Sequence, residues 1–259
     1  MKRTPSDLYG SDGDVLIMFL PLASLTSLPY KEPSKGWYAN SDLGGMNGIE
    51  ELSSVAGRSP PAGHTFCKIK AGVTNDQFRR WCFDKKTWCI PFNVIMVEVT
   101  FGGTNAPICH GSGLGSTTLS DLVVEVRYID AHGNVQTVND PAELRAASGC
   151  FGLLGVVTAV TLQLDTMSVA EMAPVKTHIA LAIPPPEGYN IPREVRMMMK
   201  KSDITKKKLD AARAKFIERV EGDYYLEWFW FPYQTQCWVN TWKSAFNTTI
   251  SHRRLALNQ

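Results

Sequence analysis

Two glycine-rich segments constrain what this chain can fold into more than any other feature of its sequence. The first covers residues 102–116 and follows an apolar stretch, and the second covers residues 149–157. Glycine lets the backbone adopt left-handed conformations and lets amide groups approach a ligand closely. A helix cap would explain Gly149, but it does not explain Gly152 and Gly155 as well. The pattern therefore indicates two turns whose backbone another group must approach.

Composition alone leaves the first segment open between a wide loop and a site for a phosphate or a flavin edge. Its spacing argues against the common alternatives. A Rossmann fingerprint needs a third glycine where Ser116 stands, and no G-x-x-x-x-G-K-[ST] phosphate loop occurs in the sequence. Ser112 lacks the G-x-S-x-G frame of a hydrolase. A hydrolase that uses Ser112 and His110 is the weakest hypothesis, because neighbours on one loop rarely meet as nucleophile and base.

The segments between and after the glycines predict a mixed α+β fold. Thr74 and Gln77 match a capping box, and Phe78 and Trp81 follow at helical spacing. Asp140, which Pro141 follows, is a strong start for a second helix. Two further helices are predicted, one opened by Pro192 and one over residues 204–220. The predicted strands cover residues 66–70, 95–101, 122–129, 135–138, 156–164, 176–183 and 224–233.

Bulk properties exclude several kinds of partner. The net charge of +2 over 259 residues is too small to indicate a nucleic acid or an anionic membrane. The six cysteines form no C-x-x-C pair, so we expect no zinc site, and their scatter favours a reducing, intracellular compartment. The apolar stretch 15–25 is too short to span a bilayer and is predicted as a buried strand. Residues 31–61 are predicted as a long loop.

Among the titratable residues, His110 is the one candidate for catalysis. It lies inside the first glycine segment, between Cys109 and Gly111. A lone histidine is more often a structural hydrogen-bonding group, so both roles stay open. The nearby acids Asp121, Glu125 and Asp130 are predicted as turn and surface groups rather than as a catalytic pair.

Together, the two glycine segments resemble the flavin-binding domain of the vanillyl-alcohol-oxidase family, whose FAD-binding module is shared with p-cresol methylhydroxylase. The family's second FAD-contacting loop and the strands after it are similar to three parts of this sequence. They are Gly102-Gly103, the run 110–113, and the run 118–123 with the strand that ends at residues 130–133. The run 149–158 is similar to the family's closing glycine turn. The likeness covers residues 72–165. His110-Gly111-Ser112 and the run 227–233 are most similar to the D-arabinono- and L-gulono-1,4-lactone oxidases.

The resemblance implies an FAD-dependent oxidase or dehydrogenase that oxidises a hydroxyl carbon of a sugar lactone or alcohol. Hydride would pass to flavin N5, and oxygen or another acceptor would reoxidise the flavin. It implies a small-molecule substrate, while the net charge and the cysteine spacing predict no nucleic-acid partner and no metal ligands. Residues that the resemblance assigns to the cofactor are Gly102, Gly103, Thr104, Asn105, His110, Gly111, Ser112, Gly113, Gly152, Leu153, Leu154, Gly155 and Val156.

The sequence departs from the family pattern at both ends. The Arg/Gly/His/Ser-rich loop that grips the pyrophosphate should precede the region near Asp14, and a His- and Trp-containing segment should follow Gln259. We therefore expect a truncated member, with an irregular part over 1–65, an FAD module over 66–168 and a partial substrate domain over 169–259. The alternative is a non-catalytic remnant that acts at most as a binding or scaffold protein. By resemblance, association with a mitochondrial or other organelle membrane also stays open.

Overall fold

The computed structural model describes residues 46–244, apart from residues 93, 95, 112, 114, 116 and 117. Within this range the chain divides into two compact units. The first unit contains residues up to 90, 94–109 and 118–166, and the second contains 91–93, 110–117 and residues from 167 onward. Among the described residues, no helix is long and apolar enough to cross a membrane.

The first unit is built on a six-stranded antiparallel sheet with the strand order β1-β2-β6-β4-β5, in which β3 also pairs with β6. Its strands are β1 (Ile49–Leu52), β2 (His64–Lys70), β3 (Trp88–Cys89), β4 (Val123–Ile129), β5 (Val135–Val138) and β6 (Val156–Thr166). Its helices are α1 (Asn75–Lys85) and α2 (Pro141–Ala147). Two short 3-10 turns cover Phe101–Gly103 and Leu119–Leu122.

Strand β6 is the centre of this sheet because β2 and β4 pair along its two edges. Val160, Leu162 and Leu164 of β6 are fully buried, at the period of two that places alternate side chains on one face. Phe78 of α1 contacts Phe101 edge to face, with the ring centroids 5.0 Å apart. The core of the first unit therefore lies around β6 and α1.

Both predicted helix starts in the first unit are confirmed. The Thr74 hydroxyl accepts from the Gln77 backbone N–H at 3.2 Å, while the Gln77 side chain accepts from the Thr74 backbone N–H at 2.7 Å. The Asp140 carboxylate accepts from the backbone N–H groups of Ala142 and Glu143 at 2.8 and 3.1 Å. These side chains satisfy amides that have no partner within the helix.

The second unit is a four-stranded antiparallel sheet that carries three helices. Strand β10 is central: β9 pairs along it, and β7 and β8 pair with opposite halves of its other edge. The elements are β7 (Ala170–Met172), β8 (Val175–His178), α3 (Ile179–Ala182), α4 (Arg193–Lys201), α5 (Lys206–Gly222), β9 (Tyr225–Trp230) and β10 (Gln236–Ser244). Its core contains Ala182, Cys237 and Val239.

The α+β class predicted from the sequence is confirmed, but several elements differ from the prediction. Strand β1 lies inside the segment predicted as a loop. The strand predicted over 95–101 is wrong, since its described part holds turns and the 3-10 turn Phe101–Gly103. The strand predicted over 176–183 ends at His178, because the His178 imidazole caps the short helix α3. The predicted strand over 15–25 lies outside the described residues.

We expect Leu162→Ala to lower the free energy of unfolding of the first unit by about 2 to 5 kcal/mol, because it leaves a cavity in the central strand. Val135→Ala is the matched control. Val135 lies on the edge strand β5 and is 72% exposed, so its loss should cost less than about 1 kcal/mol. Denaturant titration followed by circular dichroism measures both values. Equal losses would contradict the placement of the core.

Candidate functional site

Residues 102–109 of the first glycine segment meet the second segment in the first unit. The backbone N–H of Gly149 donates to the Asn105 carbonyl at 3.3 Å, and the Ser120 hydroxyl donates to the same carbonyl at 3.4 Å. Ile108 packs against Gly149, since its Cδ1 would lie 3.2 Å from a Cβ added there. The first segment and the closing turn are therefore held side by side through Asn105 and Ile108.

Within the first segment, the residues divide into packed and open positions. A Cβ on Gly102 would lie 2.7 Å from the Ala71 Cβ, so this glycine is required by packing against the end of β2. The Thr104 hydroxyl is used internally, because it donates to the Phe101 carbonyl at 2.8 Å. Gly103 has open space, with only the Thr100 hydroxyl at 3.9 Å. Gly103 is therefore the position of this pair that leaves room for a ligand.

Asn105 has a polar atom with no hydrogen-bond partner among the described residues. The residue is 4% exposed, and its side-chain oxygen Oδ1 is buried and unpaired. A buried acceptor without a donor is unfavourable, so a native structure normally provides one. The orphaned oxygen lies on the residue that joins the two glycine segments, which makes it a candidate for contact with a bound group.

The closing turn shows the same division. Gly149 follows the last residues of α2 with a φ of +70°, which is the helix-cap role that the sequence suggested. Gly155 has a φ of +126°, and a Cβ there would overlap the Ile129 carbonyl oxygen at the end of β4. Gly152 has a φ of +87°, yet nothing lies within 4 Å of an added Cβ. Packing explains Gly149 and Gly155, and Gly152 alone faces open space.

Exposed apolar side chains flank this open glycine. Phe151 is 71% exposed and Leu153 is 91% exposed. Exposed apolar side chains are common singly, but here two of them border a glycine in the left-handed region. The tip of the closing turn is thus an apolar surface with an accessible backbone, and Leu154 and Val156 follow it into β6.

The remaining predicted cofactor residues belong to the second unit. The exposed His110 has its Nδ1 atom 2.9 Å from the carbonyl oxygen of its neighbour Gly111, which fits a structural hydrogen-bonding role as well as a catalytic one. Gly111 packs against Phe92, whose Cβ would lie 2.7 Å from an added Cβ. Ser112 lies outside the described residues, and Gly113 is partly buried. The roles of these residues stay predictions.

The predicted turn roles of the nearby acids hold in part. The Asp130 carboxylate accepts from Gln136 Nε2 at 2.8 Å and from the backbone N–H groups of His132 and Asn134, and these bonds hold its pKa below its ordinary value. Asp121 accepts from the Thr118 backbone N–H at 2.8 Å. Glu125 was predicted at the surface, but its side chain is only 13% exposed and pairs with Arg127.

A buried carboxyl group in the second unit escaped the sequence analysis. Glu227 of β9 is 8% exposed, and its Oε1 has no partner among the described residues. Burial raises the pKa of this carboxyl, while hydrogen bonds with Tyr225 and Asn240 oppose the shift. In the sequence, Glu227 is only one residue of the aromatic run 227–233. The pattern of that run does not indicate that the Glu227 side chain points into the protein.

No protein-family model matches the sequence. The chain is similar to two curated proteins of Arabidopsis thaliana. It is 31% identical to probable L-gulonolactone oxidase 4 over 110 residues, which is 38% of this chain and 19% of that protein. It is 30% identical to probable L-gulonolactone oxidase 1 over 127 residues, which is 45% of this chain and 21% of that protein. The matched part therefore spans about a fifth of the length of these relatives.

Solved structures with a similar fold include two cholesterol oxidases. A solvent-stable cholesterol oxidase aligns with a TM-score of 0.54 at 14% identity, over 78% of this chain and 35% of its own. Cholesterol oxidase from Brevibacterium sterolicum aligns with a TM-score of 0.51 at 16% identity, with the same two coverages. At such low identities, the structural alignments show a shared fold and nothing finer. With the sequence relatives, they confirm the resemblance to FAD-linked oxidoreductases of the vanillyl-alcohol-oxidase type.

We expect Gly155→Ala to destabilise the first unit by about 3 kcal/mol or more, since the methyl group would collide with the Ile129 backbone. Gly152→Ala is the control, because Gly152 also has a positive φ, of +87°, but no neighbour, and the substitution should cost about 1 to 2 kcal/mol. Thermal and denaturant unfolding of the two variants measures the difference. Equal losses would mean that the close approach at Gly155 does not exist.

We expect Glu227→Gln to remove a pH dependence of stability. Because burial raises the pKa of Glu227 above its ordinary 4.5, its contribution is fully present below that pH and is lost as pH rises through the higher folded value. Glutamine cannot ionise, so the variant should equal the wild type at low pH and exceed it near neutral pH. Glu221→Gln, on the exposed part of α5, is the control for charge alone. Parallel pH profiles of unfolding for Glu227→Gln and wild type would contradict the assignment.

Proposed function

We propose that this chain is the flavin-binding part, with an adjoining portion of the substrate domain, of an FAD-dependent oxidoreductase that oxidises a hydroxyl carbon. The observation that carries the proposal is the closing turn, in which an open glycine, Gly152, stands between two exposed apolar side chains. Asn105, whose Oδ1 lacks a partner, bonds to the same turn through Gly149. Sequence similarity to gulonolactone oxidases supports a sugar lactone or a related alcohol as the substrate. Oxygen is the proposed acceptor.

The described residues fit such a cofactor in three respects. Gly103 and Gly152 leave space at the backbone where a planar group can approach. Phe151 and Leu153 offer apolar surface to a ring system. The Asn105 side-chain oxygen needs a donor, and a flavin ring carries an N–H group.

In the proposed mechanism, bound FAD supplies the two-electron acceptor for oxidation of the hydroxyl carbon. The chain's own residues bind and orient. Gly103 and Gly152 leave room for close backbone contacts, and Asn105 offers one directed acceptor. Phe151 and Leu153 exclude water from the surface that they cover. We propose His110 only as a candidate for holding the substrate proton. Its side chain is exposed, and its Nδ1 atom is bonded to the carbonyl oxygen of Gly111.

A non-catalytic remnant is the alternative function, and the likeness to oxidases favours the enzyme over it. The two hypotheses differ in whether the chain keeps a flavin. The localisation that we propose is intracellular, on the ground of the six free cysteines, which form no disulfide.

We expect the purified chain to keep a flavin band in its visible spectrum after incubation with FAD and gel filtration. Addition of L-gulono-1,4-lactone without oxygen should then bleach that band. A colourless protein would contradict the flavoenzyme and favour the remnant, whereas a stable band that no lactone bleaches would contradict the substrate alone.

A pair of glycine variants tests the site itself. Gly152→Gln should weaken FAD binding at least tenfold, because the new side chain fills the open space at the closing turn. Gly133→Gln is matched in backbone strain, with a φ of +81° against +87°, and it also has no neighbour within 4 Å. Gly133 lies in the β4–β5 hairpin, so this variant should keep wild-type affinity. Fluorescence titration measures the FAD affinity of both folded variants. Equal affinities would show that the closing turn is not part of the FAD site.

A further inference from the structure

The second unit contains a cavity whose rim is positively charged. It has a volume of about 290 Å³ and lies between one face of α5 and the wall formed by β8, α3 and β9. Lys208, Lys215 and Arg219 of α5 line it, and its eleven lining residues include no acid. These cations follow the spacing i, i+7 and i+11, which places them on one side of the helix. Ala211 and Ala212 also line the cavity, and their short side chains leave the space open.

Two of these three cations have no counter-ion among the described residues. Lys208 pairs with Asp203 at 2.6 Å, and elsewhere on α5 the guanidinium of Arg213 is paired with Asp210 at 2.7 Å. No hydrogen bond or ion pair of the Lys215 or Arg219 side chain occurs within the described ranges. Two unpaired cations beside one cavity produce a local positive potential, which favours an anionic ligand.

The interior of the cavity is apolar, with one unsatisfied donor. Phe216 and Trp228 form its aromatic part, with ring centroids 5.6 Å apart, and Val175 and Leu181 add aliphatic surface. The indole Nε1 of Trp228 is buried and has no hydrogen-bond partner among the described residues. Tryptophan N–H groups usually find an acceptor when buried. The cavity that Trp228 lines is the space in which a ligand oxygen could provide one.

We propose that this cavity binds a small carboxylate with an apolar body, whose charged group lies between Lys215 and Arg219 and whose body contacts Phe216 and Trp228. Arginine suits a carboxylate because its planar fork donates two parallel hydrogen bonds. At roughly 30 Å³ for each water-sized group, 290 Å³ accommodates about ten such groups. This size corresponds to a medium-chain fatty acid or an arylalkanoic acid. The proposal concerns the second unit and does not depend on flavin binding.

Isothermal titration of the full chain with octanoate and with 1-octanol tests the proposal without any variant. The two probes share a chain length and differ in charge. We expect octanoate to bind at least tenfold more tightly, which corresponds to about 1.4 kcal/mol, and the difference to shrink as salt is added. Equal affinities, or no binding of octanoate, would overturn the proposal.

The variant Lys215→Gln/Arg219→Gln should abolish the preference for octanoate over 1-octanol. Lys201→Gln/Lys207→Gln removes the same charge from exposed positions that do not line the cavity, and it should keep the preference. Circular dichroism establishes that both variants are folded. Loss of the preference in both variants would attribute it to net charge and overturn the assignment to the cavity.

Discussion

The pairing of β6 with three other strands is the interaction on which the first unit depends. Its 11 residues pair with β2 along one edge and with β4 and β3 along the other, and alternate residues are fully buried. The strand begins one residue after Gly155, at the point where the backbone passes against the Ile129 carbonyl. The position of the closing turn is thus fixed by the sheet. The register between β4 and β6 therefore determines the position of any ligand site on this turn.

This constraint separates glycines that build the fold from glycines that leave room. Gly102, Gly149 and Gly155 are required by a close approach or by a helix cap, so none of them is evidence for a ligand. Gly103 and Gly152 have open space, and for them the structure offers no packing reason. Counting glycines therefore overstates the evidence for a binding site, whereas the surroundings of each position separate packed glycines from open ones, and Gly115 of the second unit is open as well. The proposed flavin site depends on Gly103 and Gly152 together with Asn105.

Local signals in the sequence predicted the elements that local physics decides. Both predicted helix starts are confirmed. Each start is fixed by hydrogen bonds between residues at most three apart, from the side chains of Thr74 and Gln77 in one helix and of Asp140 in the other. The alternating strands β4 and β6 were predicted from period two. The strands β1 and β10 were missed. β1 pairs with the next strand, β2, and β10 with the preceding strand, β9, whereas the other edge of β10 pairs with β7 and β8, which lie far away in sequence. The orphaned atoms of Asn105 and Glu227 likewise follow from tertiary packing.

Three of the seven buried polar atoms that lack a partner among the described residues belong to the sheet of the second unit. His178 Nε2, Glu227 Oε1 and Trp228 Nε1 all lie on β8 or β9. Each such atom costs folding free energy that an apolar residue would not, about 1 to 3 kcal/mol by analogy with other proteins. Burial lowers the pKa of His178 and raises that of Glu227, so both groups are held towards their neutral forms. Neutral, unpaired donors and acceptors in an apolar setting are weak contributors to stability and strong determinants of binding specificity. Packing alone would have favoured apolar residues at these three positions, so the polar groups lower the stability of the second unit unless another group pairs with them.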